Sequence, residues 1–158
     1  MRTRRPALVL TMLLAACAHR APGPVVAPPG TAHTPEETDR LFGLRMNAGD
    51  LDGLVALYEG GATLIRGNGT PGVGHDAIRA ELAGILKAKP KIVMNVRTVR
   101  RGGENIAVLY NDWHGTVTGK GGKPEALHGC AVEVVRRQAD GRWLFVIDDP
   151  DGRGCGKR

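Results

Sequence analysis

The sequence predicts an α+β domain in which three N-terminal helices pack on one face of a curved antiparallel sheet. Two observations carry that expectation. Apart from one short strand, apolar residues between Thr34 and Lys89 recur at helical spacing, whereas from Lys91 to Asp148 the chain is a succession of β-branched runs separated by glycine-containing turns. A chain that runs through helices and then through hairpin-linked strands folds as segregated layers, not as alternating βαβ units.

Thr34-Pro35-Glu36-Glu37 opens the first helix: Thr34 can cap, Pro35 suits the first helical position, and Glu37 completes a capping box. Leu41 and Leu44 continue it until Asn47-Ala48-Gly49. Asp50 caps a second, short helix in which Leu51, Leu54, Val55 and Tyr58 share one face, and Gly60-Gly61 ends it. Ala62 to Arg66 reads as a short strand and Gly67 to Gly74 as a glycine-rich loop. No Gly-Lys-Ser/Thr follows that loop, so it is a turn-rich connection and not a phosphate cradle. His75-Asp76 leads a third helix through Ile78, Leu82, Ile85 and Leu86, ending before Pro90. Four strands follow, Lys91 to Arg101, Ile106 to Thr118, Ala126 to Arg137 and Arg142 to Asp148.

Ahead of the domain, residues 1–16 read as a signal peptide: a basic start with Arg2, Arg4 and Arg5, then eleven uncharged residues from Pro6 to Ala16. At about 1.5 Å per helical residue that stretch reaches roughly half of a ~30 Å hydrocarbon core, too short for a permanent span. Leu14-Ala15-Ala16-Cys17 resembles the lipobox of bacterial lipoproteins, which implies cleavage before Cys17 and lipidation of its sulfur. Residues 17–33, a lipidated cysteine followed by a Pro/Ala-rich run, then form a tether, 34–152 the domain, and 153–158 a tail. The expected address is the cell envelope, lipid-anchored, and Ala18 resembles lipoproteins sorted to the outer membrane of a two-membrane bacterium, facing the periplasm.

Three of the 22 basic residues lie in the signal segment, leaving 19 against 16 acidic ones. They are dispersed, and with only six aromatics the chain lacks the basic stripe and stacking platforms of a nucleic-acid binder. In an oxidising compartment Cys130 and Cys155 are free to form a disulfide, with Gly152, Gly154 and Gly156 letting the tail turn back.

The order helix, helix, strand, helix, then a long meander resembles the nuclear transport factor 2-like superfamily, with its SnoaL-like cyclases and ketosteroid isomerases. Ala48 to Tyr58, Gly74 to Arg79 and Asp140 to Pro150 are similar to segments of its SgcJ/EcaC group, over about residues 36 to 152. The resemblance implies a cystatin-like cone whose interior holds a ligand, and a homodimer through the outer sheet face. It transfers no catalytic residue, because no Tyr/Asp set matches the isomerase's.

Strand arithmetic selects candidate site residues. A symmetric hairpin about Gly121 sets His114 opposite His128 and Asp112 opposite Cys130, and a hairpin about Asp140 sets Val132 opposite Asp148. One face then carries Tyr110, Asp112, His114, His128, Cys130 and Asp148; the other carries Leu109, Trp113, Ala131, Val135, Trp143 and Phe145, with Asn111, Glu133 and Asp149 among them. The polar-rich face is expected to line the pocket, although one bulge would swap faces beyond it. On that assignment Tyr110, Asp112, His114, His128 and Asp148 bind ligand, and Asp112, His128 and Asp148 are the candidates for moving a proton. The two His and two Asp lack a compact ligand spacing, so neither a metal nor another cofactor is expected.

Three functions stay open on the sequence. The chain binds a small, partly apolar molecule in the cone; it isomerises, cyclises or dehydrates such a molecule by proton transfer; or it docks an envelope protein through its sheet.

Overall fold

A computed structural model describes residues 30–154; the signal peptide, Cys17 and Cys155 lie outside the described residues. The elements run α1 (Pro35–Ala48), α2 (Leu51–Val55), β1 (Tyr58–Ile65), β2 (Pro71–Val73), α3 (Gly74–Leu86), β3 (Lys91–Arg101), β4 (Ile106–Thr118), β5 (Pro124–Arg137) and β6 (Trp143–Asp149). Among the described residues no helix is long and apolar enough to cross a membrane.

Thr34 caps α1 as the sequence suggests, while Glu37 reaches one residue further back than a capping box requires. Glu37 N donates to Thr34 Oγ1 at 3.2 Å, and the Glu37 carboxylate reaches back to His33 N at 2.7 Å. Gly49 closes α1 in the left-handed region at φ 74°, where a side chain would be strained, and its N–H donates to the carbonyls of Arg45 and Met46. Asp50 then caps α2 through Gly53 N at 2.9 Å.

The second helix is shorter than expected. Tyr58 begins β1 instead of closing α2, because its backbone pairs in parallel with Phe145 of β6. The glycine-rich loop is the turn of a hairpin, with Thr63 to Ile65 paired against Pro71 to Val73. The sheet order is β2-β1-β6-β5-β4-β3, antiparallel except for β1 beside β6. It is therefore a mixed sheet at one pairing, which the long connection through α3 and β3 to β5 permits.

Residues 30–33 belong to the packed domain and not to a free tether. Ala32 is 2 % exposed, its carbonyl accepts from Trp143 N at 2.8 Å, and Arg45 Nη2 donates to Gly30 O at 2.6 Å. The core between helices and sheet gathers Leu41, Leu54, Leu57, Ile78, Leu109 and Phe145.

The β4–β5 register is the expected one, with His114 opposite His128 and Asp112 opposite Cys130. The β5–β6 register is not. Val135 pairs with Phe145, but Val134 pairs with Ile147, so Val146 is an extra residue in β6. Beyond this bulge the sides exchange, and Asp148 lies opposite Glu133 instead of Val132.

One glycine makes the β3–β4 pairing possible. A Cβ on Gly115 would sit 2.1 Å from the Lys91 carbonyl oxygen, a contact with backbone that no rotamer relieves. Gly115→Ala is expected to destabilise the domain by about 1–3 kcal/mol, read as a lower urea midpoint at unchanged slope.

Candidate active site: buried carboxyls at the end of an apolar cavity

The cone encloses a cavity of about 300 Å³ between α1, α3 and the sheet, at the lower end of the ~300–1,000 Å³ range typical of small-molecule sites. Phe42 and Met46 of α1, Leu82 and Ile85 of α3, and Ile92 and Met94 of β3 supply apolar wall. Trp113 lines it from β4, held by an Nε1 hydrogen bond of 2.8 Å to Pro150 O. Gly129 gives the indole its place, since a Cβ there would lie 2.5 Å from the ring.

Glu133 and Asp148, paired across β5 and β6, are the buried polar residues of this lining, at 2 % and 4 % exposed. Asp148 Oδ2 accepts from the Tyr58 hydroxyl at 2.5 Å. Behind Glu133, Asn111 spends both amide hydrogens on acids, donating to Glu133 Oε1 at 2.7 Å and Asp39 Oδ2 at 2.8 Å. The opposite amide orientation would point its oxygen at two carboxyls, so the partners fix it. Asp39 and Glu133 also bond each other through their carboxyls, and Asn111 Oδ1 has no protein partner.

Burial dominates the acidity of this group. Desolvation raises the Asp148 carboxyl to about 7, against the opposing effect of the Tyr58 hydrogen bond. Desolvation, reinforced by the charges of Asp39 and Asp148, pushes the Glu133 carboxyl well above its ordinary value. Asp39 is raised by burial and restrained by its bonds to Glu133 and Asn111, and Tyr58 is raised well above 10.0 by burial and then by Asp148. The cavity thus ends in a carboxyl poised to gain or lose a proton near neutrality, beside a second acid that burial makes harder to ionise. Among the described residues no set of His, Cys, Asp and Glu is arranged to hold a metal ion.

Of the residues expected to form the pocket, the structure places only Asp148 in it. The pocket lies on the other face of the sheet, and Asp148 reaches it because of the bulge at Val146. Tyr110 and Asp112 are half-buried on the outer face, where His114 and His128 stand exposed and opposite each other. Asp112 takes Arg97 Nε at 2.6 Å and also bonds Arg153, and these hydrogen bonds, Arg97's first, hold its carboxyl below the usual range. A surface carboxylate held by two arginines is poorly suited to accept a substrate proton. Cys130, on the same face, is disulfide-bonded; Cys155, the partner the sequence suggests, lies outside the described residues.

Sequence reasoning missed Asp39, Tyr58, Asn111 and Glu133 as site residues. A signal existed for two of them. Asn111 and Glu133 interrupt otherwise apolar alternation, Leu109-x-Asn111 and Ala131-x-Glu133-x-Val135, and a polar side chain on a core face has to be satisfied by something.

Comparison with known proteins agrees with this architecture. A ketosteroid isomerase-like protein from Erwinia carotovora superposes with a TM-score of 0.66 at 17% identity, over 72% of this chain and 89% of that one. An NTF2-like protein with a cystatin-like fold from Novosphingobium aromaticivorans gives 0.61 at 16% identity, over 72% and 75%. A domain of unknown function with a cystatin-like fold from Nostoc punctiforme gives 0.62 at 18%, over 73% and 72%. No curated protein matches the sequence. These likenesses establish an α+β, cystatin-like fold of the nuclear transport factor 2-like kind. The SnoaL-like domain model matches residues 38–146, most of the described chain, and the protein belongs to the SnoaL-like domain family.

Proposed function

We propose that this domain binds a small, mainly apolar molecule inside the cone, with the polar end of the ligand at Asp148, and that a lipid on Cys17 holds it at the bacterial envelope. The observation that carries the reading is the apolar cavity of about 300 Å³ ending in two buried carboxyl groups. Burying carboxyls is costly, and a site that keeps them at the end of a hydrocarbon-lined space has a use for them there. The exposed Val93 and Ile147 on the outer sheet face suit a homodimer contact.

Calorimetric titration with phenylbutanol tests the binding. One-site binding is expected, and Ala131→Phe, which fills the cavity from β5, should abolish it while the melting transition stays cooperative. A folded protein that takes up no apolar probe would overturn the reading. Globomycin treatment of cells producing the full chain tests the anchor: accumulation of uncleaved precursor is expected, and unchanged processing would refute it.

A second reading, proton transfer by isomerisation, cyclisation or dehydration, is favoured by one feature: Asp148 at about 7 beside Glu133, whose carboxyl burial pushes well above its ordinary value. Asp148 would take a proton from carbon while Glu133 donates a hydrogen bond to the developing oxyanion, the division of labour that apolar sites impose on two acids. The Tyr58 bond holds Asp148 down, so Tyr58→Phe should raise its pKa further above 7, measured by carboxyl-carbon NMR titration. A lower value would mean that the hydroxyl is not the donor.

A further inference from the structure

Among the described residues, the ionisable ones lining the cavity are Glu81, Glu133, Asp148 and Asp151; all are acids, with no Lys, Arg or His among them. The chain as a whole has 22 basic against 16 acidic residues, so the sign of the cavity runs against its composition. Only Glu81 has a cation at hand, Arg66 at 3.4 Å. Asp39, Glu133 and Asp148 have no ion pair within the described residues; the neutral Asn111 and Tyr58 donate to them, and Asp39 and Glu133 bond each other.

A second observation is independent of the count. Asp148 is almost fully buried and lines the cavity, and its hydrogen bond from Tyr58 uses Oδ2 and leaves Oδ1 for a ligand. A neutral ligand would leave the ionised Asp148 carboxyl uncompensated, and an anion would add like charge in a medium of low dielectric. An ammonium group supplies three donors and the missing charge. The aromatic faces of Trp113 and Phe42 on the same lining suit a cation as well as hydrocarbon.

We propose, building on the binding reading above, that the cavity selects a hydrophobic amine, its ammonium group on Asp148 Oδ1 and its hydrocarbon body along Leu82, Ile85, Ile92 and Met94. Affinity then depends on pH. The groups facing Asp148 are Tyr58 from β1, Glu133 from β5, Asp149 from β6 and Asp39 from α1, with Glu81 and Asp151 further along the lining. None of them is basic, so the ammonium meets no competing cation. Amine binding draws the proton off Asp148, and affinity rises with pH until Asp148 is ionised without ligand, then levels.

The experiment compares phenylbutylamine, phenylbutanol and phenylbutyrate, one hydrocarbon body with cationic, neutral and anionic heads. They are titrated calorimetrically at pH 6 and pH 8 into the full chain carrying Cys17→Ser. The amine is expected to bind about tenfold or more tighter than the alcohol at pH 8 and to lose part of that margin at pH 6, with no binding of the acid. Asp148→Asn should reduce the amine's advantage to within about threefold while the alcohol still binds. An alcohol or acid that binds as well as the amine to the unsubstituted site overturns the amine assignment and leaves the cavity reading standing. Failure of all three probes overturns both.

Discussion

Asp148→Asn raises the stability of the protein at pH 8 by about 2–4 kcal/mol and leaves it nearly unchanged at pH 4. The Asp148 carboxyl titrates near 7 when folded and near its ordinary 3.8 when unfolded. Below pH 3.8 both states hold the proton and the group imposes no penalty. Between 3.8 and about 7 the unfolded chain has released a proton that the folded protein keeps, so stability falls by about 1.4 kcal/mol per pH unit. Above 7 the whole penalty, on the order of 4 kcal/mol, is present. Asparagine keeps the shape and still accepts the Tyr58 hydrogen bond, so the variant escapes the titration at the cost of placing a new amide donor. The stabilisation should appear as roughly 10 °C in Tm at pH 8. Equal shifts at both pH values would show that the side chain is not titrating in the folded state.

The difference between variant and parent matters more than either curve alone. Asp39 and Glu133 are raised in the same direction, so the variant keeps part of the alkaline loss. Asp112 and Asp140 are lowered by arginine partners and act oppositely, losing their contribution as pH falls through their depressed values. The arginine-held acids cancel when the two proteins are compared at one pH, whereas Glu133, raised in part by the charge of Asp148, is relieved in the variant and adds to its stabilisation. The same substitution is expected to remove the preference for an amine. Stability given up for a buried acid that a ligand then uses is a common bargain at functional sites.

How much of this was legible in the sequence depended on whether the signal was local. Caps, turns and strand limits are local, and Thr34, Gly49, Asp50 and the ends of β3 and β4 stand where their residue types put them. Register across the β4–β5 hairpin was equally legible, because a short symmetric turn fixes it. Two features were not. Tyr58 has helical spacing to Leu54 but is captured as a strand by Phe145, a partner 87 positions away. The pocket face was assigned by counting polar residues, on the supposition that chemistry gathers where they are dense. In the structure the dense face is outside, where His114 and His128 meet water, and the three polar side chains of the inner face, Asn111, Glu133 and Asp148, matter because they are few and buried. No residue type marks the bulge at Val146 that brings Asp148 inward, since any residue in extended backbone can be the extra one.

Phe145→Ala is expected to cost about 3–5 kcal/mol, enough to consume a large part of the stability of a domain this size. Phe145 is 1 % exposed and stands immediately before the bulge. Its ring meets Phe42 edge-on at 6.0 Å between centroids and Tyr58 in a tilted stack at 5.0 Å, so it ties α1, β1 and β6 together. Truncation removes the apolar area and leaves a cavity that three separately anchored elements cannot readily close. Phe145→Leu, which keeps most of the volume, should cost less than half as much. The position also bears on the site, because the Tyr58 ring that rests on Phe145 carries the hydroxyl bonded to Asp148. Combining Phe145→Leu with Tyr58→Phe separates the two contributions. If the stack positions the hydroxyl, the pair of substitutions will cost less than the sum of the single ones, by about 0.5–1 kcal/mol in urea midpoints measured at pH 7. Strict additivity would show that Phe145 acts through packing alone and that Tyr58 is held by its own neighbours in β1.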